Sequence, residues 1–238
     1  DMQSKSITKQ LGKRILSEAN DLKRTVSALA SDIDIDENFI MKIINGECDQ
    51  KDSYEVIRKM GSVYPIDISD LYLQEDDCEH AVKFMRAKES SSTSRIFNRV
   101  NKNKKYTPYY EYRDTAMSKL GPYKPEWIKE LRNVDNSDPY NPDVAYNNGH
   151  FMHQTTLFVG PVNFYWEVDG QKFCSEMNTG DSNYITPYWP HSFTNRDPEQ
   201  EAYILAITFG GDVRRAQKEL YALGDRSKNY VIEYRDHK

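Results

Sequence analysis

The chain lacks several features that would assign its class at once. Its 238 residues include three cysteines, Cys48, Cys78 and Cys174. An odd number at unrelated spacings argues against a disulfide framework, and none has a CxxC or histidine neighbour at zinc-ligand spacing. Such usage fits a reducing cytoplasm, the expected location. No apolar run approaches the roughly eighteen residues that a membrane-spanning helix needs, and the longest lies near 202–209. The start shows no signal-peptide pattern, and Asp1 before Met2 reads as a cloning remnant. GxGxxG and phosphate-loop patterns are missing too. Positive charge is in deficit, with a net charge of −5.

What is present describes a globular chain, 38% hydrophobic and 29% charged, long enough for one large domain or two smaller ones. The first third reads as helices. Leu11, Ile15, Leu22, Val26, Leu29 and Ala30 recur at roughly helical spacing. Asp36 precedes an amphipathic run that ends at Asn45-Gly46, an N-cap and a glycine stop. Another helix is predicted near Tyr54–Met60, and Pro65 closes the group. This pattern resembles the helix-turn-helix bundle of repressor-like proteins over roughly residues 7–73. Charge argues against DNA as the partner. Residues 1–75 carry ten Lys/Arg against fourteen Asp/Glu, and the candidate reading helix opens Asp36-Glu37 with only Lys42 to offer phosphate.

A polar stretch, 76–105, reads as a connector with a short helix around His80–Arg86. From Tyr106 the signal is β. The runs 109–112, 155–159, 162–168, 183–186 and 202–209 are aromatic or β-branched, bounded by Gly, Pro, Asn and Asp. Val168-Asp169-Gly170-Gln171 marks a tight turn, and a helix near 213–223 and a strand at 230–234 close the chain. The expected fold is α+β: a helical helix-turn-helix-like domain (1–75), a linker (76–105) and an all-β cupin, or jelly-roll, barrel (106–238). Seventeen tyrosines leave some for a polar pocket.

Within the β region, two segments about forty residues apart offer metal ligands. His150, Met152 and Gln154 share one face if the segment is extended, and His153 points the other way. His191 follows a Gly180 turn, Pro187 and Pro190. Two imidazoles and one amide oxygen make a three-point site with coordination positions left for substrate and O2. His153 is the rival third ligand. The spacing resembles the two cupin motifs. His150, Gln154 and Gly160 fill the first, and Gly180, Pro187, His191 and Asn195 the second. Asn148 stands where a further histidine is common, and Gln154 stands where a glutamate is expected.

These residues bring the chain to a family. Val26–Ser31, Asn147-x-Gly-His150 and Pro190-His191-Ser192-Phe193 resemble the nonhaem-iron phosphonate oxygenases, over nearly the whole chain. The family's epoxidase has Glu where Gln154 stands. Its hydroxyethylphosphonate dioxygenase takes a carboxylate six residues before the last histidine, where this chain has Ile185. With neither carboxylate present, the resemblance implies Fe(II) held by two His and one Gln. It also implies O2-dependent cleavage of the C–C bond of 2-hydroxyethylphosphonate to methylphosphonate and CO2 or bicarbonate.

The substrate itself supplies the four electrons for O2, so no 2-oxoglutarate, flavin or nicotinamide is required. The resemblance further implies a phosphonate clamp of Lys23, Lys104, Tyr112 and Asn147, with Lys23 and Tyr112 also catalytic. Lys23 acts across subunits in a relative, so a dimer or tetramer is expected. Lys104 replaces an arginine of the relatives, and Arg99 or Arg113 takes the role if the correspondence slips. A dianionic phosphonate suits ammonium, phenol and amide donors beside a metal that keeps its full charge. The alternatives are a dioxygenase product, hydroxymethylphosphonate with formate; a helix-turn-helix/cupin transcription regulator; and a metal-free or zinc-dependent barrel.

Overall fold

A computed structural model describes residues 2–74, 76–227 and 229. It divides into two compact units, Asp1–Glu75 and Asp76–Lys238. The α+β class read from the sequence is what the structure has: helices, then antiparallel sheets.

The first unit holds α1 (Met2–Asp21), α2 (Val26–Asp32), α3 (Glu37–Asn45), α4 (Gln50–Val63) and a 3₁₀ turn at Ile68–Asp70. Short polar side chains start the helices. Thr25 accepts from the Ala28 N–H, Asp36 from Phe39 and Asp49 from Asp52; each such cap contributes about 1 kcal/mol. Gly46 ends α3 in the left-handed region, and a Cβ there would lie 2.7 Å from the Cα of Lys9, so α1 packs where only glycine fits. Leu11, Ile15, Leu29, Ile40, Ile43, Val56, Ile57 and Met60 form its closed apolar core.

The second unit holds α5 (Ala87–Ser92), β1 (Arg95–Val100), β2 (Tyr106–Asp114), β3 (Tyr123–Glu130), β4 (His153–Val159), β5 (Val162–Val168), β6 (Gln171–Met177), β7 (Ser182–Ile185), β8 (His191–Asn195), β9 (Tyr203–Phe209) and α6 (Gly211–Ala222). One sheet has six strands in the order β1-β2-β3-β9-β4-β7, the other three in the order β6-β5-β8, all paired antiparallel. Tyr110, Ile128, Phe158 and Ile204 of the larger sheet share one core with Val162, Phe164 and Phe193 of the smaller. On β4 the buried positions are Gln154, Thr156 and Phe158, a period of two that turns polar toward the strand start.

Two local expectations change. Residues 76–105 read as a connector, yet they carry α5 and β1, and β1 pairs with β2 along its length. Its side chains are mostly exposed, so no apolar alternation announced it. The short helix expected at His80–Arg86 lies instead at 87–92, because His80 and Ala81 both adopt positive φ in a turn. The turn at Asp169-Gly170 has φ of 51° and 81°, the geometry that suits a two-residue hairpin loop. The strand expected at 230–234 lies outside the described residues. Among the described residues no helix is long and apolar enough to cross a membrane.

Candidate metal centre

The site is assembled by one loop stitched to another. The segment from Leu131 to Met152 carries no helix or strand, so its shape depends on side-chain anchors. Arg132 donates to the carbonyl of Asp143 (2.6 Å) and the hydroxyl of Thr107 (2.7 Å), and the Ala145 N–H donates to Tyr109 Oη (3.0 Å). Asn147 Oδ1 accepts from the N–H groups of Gly149 and His191, both at 2.9 Å, and the Tyr188 N–H reaches the carbonyl of His150 at 2.9 Å. Gly149 has φ +76°, and a Cβ there would sit 2.4 Å from the Tyr188 carbonyl oxygen. Glycine at this position is therefore what allows His150 to approach His191.

His150 thus enters from a loop just before β4, not from an extended strand, as its alternation with Gln154 had suggested. Gln154 lies inside β4, and His191 begins β8 of the other sheet. The imidazole rings meet edge to face with centroids 5.0 Å apart. Each Nδ1 faces a backbone carbonyl, Met152 for His150 (3.1 Å) and Trp189 for His191 (2.9 Å). Those carbonyls assign the proton to Nδ1 and leave Nε2 as a bare acceptor. The Gln154 Nε2 donates to Thr156 Oγ1 (2.9 Å), so Oε1 is the end turned toward His150 Nε2, at 3.2 Å. Two lone pairs then face one another with no hydrogen between them. A cation would complete that arrangement, and the donor set of two imidazoles and an amide oxygen fits a divalent transition metal.

Burial supports the same chemistry. Gln154 is 5% exposed and His191 4%. Burial, which outweighs the Trp189 carbonyl bond that favours the protonated form, pulls the His191 pKa down to about 4; the neighbouring His150 adds to the fall. The ring is therefore neutral and able to coordinate through the whole neutral range. Asn147 Nδ2 lies 3.1 Å from His191 Nε2.

A cavity of about 200 Å³ opens onto these groups, and Tyr112, Lys124, Glu126 and Asn147 line it with the two histidines and Gln154. Burial first, then the nearby carboxyls of Glu130 and Glu126, push the Tyr112 phenol up to about 12, and the charge of Arg99 opposes them. Tyr112 is accordingly a neutral O–H donor. Burial also pushes the Glu126 carboxyl up; Arg95, 3.8 Å away, pulls it back.

The other sequence candidates lie elsewhere. Lys104 sits exposed in the β1–β2 turn with φ 59° and does not line the cavity. Arg113 points from the opposite face of β2 and pairs with Glu111 (2.7 Å) at a separate cavity of about 420 Å³. Arg99 is half-buried on β1 and donates to the carbonyl of Asn98. Lys23 is exposed in the turn after α1, within the helical unit, with φ 58°. His153 faces away from the cavity, stacked on Tyr184 and Phe209 and hydrogen-bonded to the Tyr184 hydroxyl. Sequence reasoning missed Lys124 and Glu126. Their signal was the alternation Lys124-Glu126-Ile128 on one face of β3, masked by Pro125 and by the strand's charge.

No family model matches the chain. The chain is 44% identical over 233 residues to methylphosphonate synthase of Nitrosopumilus maritimus (strain SCM1), covering 95% of this chain and 49% of that protein. Among solved structures it resembles Streptomyces albus HEPD, determined with 2-hydroxyethylphosphonate and Fe(II) bound. The TM-score is 0.81 at 38% identity, over 95% of this chain and 50% of the other. Hydroxypropylphosphonic acid epoxidase from S. wedmorenis shares the fold, with a TM-score of 0.62 at 20% identity over 86% of this chain and all of that one. The chain spans about half the length of the first two relatives. Over the residues it spans, the chain is similar to methylphosphonate synthase and to the iron- and 2-hydroxyethylphosphonate-bound HEPD.

Proposed function

We propose that this chain carries the Fe(II) centre of an enzyme that cleaves 2-hydroxyethylphosphonate with O2 to methylphosphonate and CO2 or bicarbonate. The observation that carries this reading is the uncharged ligand set. His150 Nε2 and Gln154 Oε1 face each other as bare acceptors, with His191 beside them. Ile185 fills the place where the sister dioxygenase has its carboxylate. In this reading His150, Gln154 and His191 hold Fe(II), which supplies the redox chemistry with O2.

The chain's own groups bind and orient the substrate. Tyr112, held as a neutral phenol, donates its O–H to a phosphonate oxygen. Coordination by His191 uses the Nε2 lone pair that faces the Asn147 amide, which leaves that N–H for an anionic oxygen. Lys124 supplies positive charge at the cavity wall, a role the sequence reading gave to Lys104. Lys23 completes the site across subunits of a dimer or tetramer. The helical unit is a helix-turn-helix-like bundle whose acidic charge argues against a DNA-reading role, and the second unit is a cupin barrel. Two antiparallel sheets sharing one core support the barrel, and the cytoplasm remains the expected location.

The test is anaerobic reconstitution of the full chain with Fe(II), addition of 2-hydroxyethylphosphonate and O2, and phosphorus NMR of the products. Methylphosphonate as the main product is the expected result. Hydroxymethylphosphonate with formate would assign the dioxygenase reaction instead, and turnover with zinc alone would remove the oxygenase reading.

A further inference from the structure

We infer that Thr156 decides which end of the Gln154 amide faces the metal. This rests on the reading of Gln154 as a ligand. An amide side chain is nearly symmetric in shape and opposite in chemistry at its two ends: oxygen can ligate a cation, whereas NH₂ has no lone pair to give. A carboxylate ligand has no wrong end, so a glutamate site needs no such device. A glutamine site does.

The device is visible in β4. Thr156 is two residues beyond Gln154 on the same strand face, and it is 0% exposed. Its Oγ1 takes the Gln154 N–H at 2.9 Å, a bond closed off from water. Across the β4–β7 pair Thr156 faces Asn183, whose buried amide has no hydrogen-bond partner. That amide makes no bond to the Thr156 hydroxyl and does not compete with Gln154 for it, so the Thr156 oxygen is held by the Gln154 N–H. Remove the hydroxyl, and the buried Gln154 NH₂ loses the partner it has; the bare Nε2 of His150, 3.2 Å from the present Oε1, is the acceptor that a turned amide would meet. The amide then turns over, satisfies itself on His150, and presents a donor where the metal needs an oxygen.

Thr156→Val keeps the shape of the side chain and removes the acceptor, and Thr156→Ser keeps the acceptor. Affinity for Fe(II), measured anaerobically on the full chain by chelator competition, should fall about 10- to 100-fold in Thr156→Val and return to within about threefold in Thr156→Ser, the range seen when a group that orients a metal ligand is lost. The decisive measurement repeats Thr156→Val in a Gln154→Glu background. An orienting role makes the threonine effect shrink to under about threefold there, because either carboxylate oxygen ligates. An equal loss in both backgrounds would reduce Thr156 to a packing residue and overturn the inference. Gln154→Ala separates the two levels. Should it bind Fe(II) like the wild type, the ligand reading fails and the inference falls with it. Should it lose the metal while Thr156→Val does not, the inference alone is wrong.

Discussion

Gln154 on β4 and Ile185 on β7 are direct Cα partners across an antiparallel strand pair. Residues so placed project side by side from one face, with Cβ atoms about 5 Å apart. The two positions at which the resemblance leads one to expect a carboxylate, far apart in the chain, are thus neighbours in the sheet. This chain puts an amide at one and a buried aliphatic at the other.

That adjacency implies that the third ligand can be moved. Gln154→Ala should weaken Fe(II) binding by at least about 100-fold, and Ile185→Glu added to it should restore much of the loss by offering a carboxylate from the neighbouring strand. Anaerobic chelator competition reads both steps. Failure of Ile185→Glu to recover any affinity would mean that β7 does not present that position to the metal.

His191→Ala should abolish metal binding and turnover, since only His150 and Gln154 remain. His153→Ala, which removes a ring stacked against Tyr184 and Phe209 on the far face, should leave iron stoichiometry intact. Metal analysis of the purified variants distinguishes the two, and an iron-free His153→Ala would reinstate that residue as a ligand.

Lys124→Gln should raise the substrate KM by about tenfold, because a charge-assisted contact to a dianion is lost from a cavity wall. Lys104→Gln should change it little, as that lysine stands in an exposed turn outside the lining. Steady-state kinetics at low ionic strength checks the ranking, and the reverse order would return the clamp to Lys104.

Glu130 gives a pH prediction. Its carboxyl is buried without a hydrogen-bond partner, and burial pushes its pKa well above the ordinary carboxylate value. The folded state therefore keeps a proton that the unfolded chain releases above about pH 4.5. The stability tied to that proton is fully present below the unfolded pKa and is lost as pH rises toward the folded one. Glu130→Gln removes the titration, so its stability should fall less than that of the wild type between pH 5 and 8. Denaturant titrations of both proteins across that range make the comparison, and parallel curves would show that Glu130 does not carry the pH dependence.

Much of the architecture was legible because it is written locally. Asp36 and Gly46 bracket α3 by capping chemistry that needs only neighbouring residues, and Asp169-Gly170 specifies its turn in the same way. The run at 162–168 reads as a strand and is β5 to the residue. β1 and β3 were missed because their side chains are polar or exposed, and a strand held by its neighbours' backbone needs no apolar alternation of its own. At the centre, His150, Gln154 and His191 stood out through spacing and flanking glycines. Lys124 did not, because β3 was invisible.

By itself the sequence determined the helical head, the β-rich remainder, and which few side chains could meet a metal, since composition, periodicity and caps act over a handful of residues. The tertiary structure alone decided that Gln154 and Ile185 are cross-strand neighbours, that Thr156 holds the amide nitrogen so that its oxygen faces His150, and that Lys124 rather than Lys104 lines the cavity. These relations follow from sheet register and from a loop closed over Gly149. Register is a pairing between distant segments, and no local pattern encodes it.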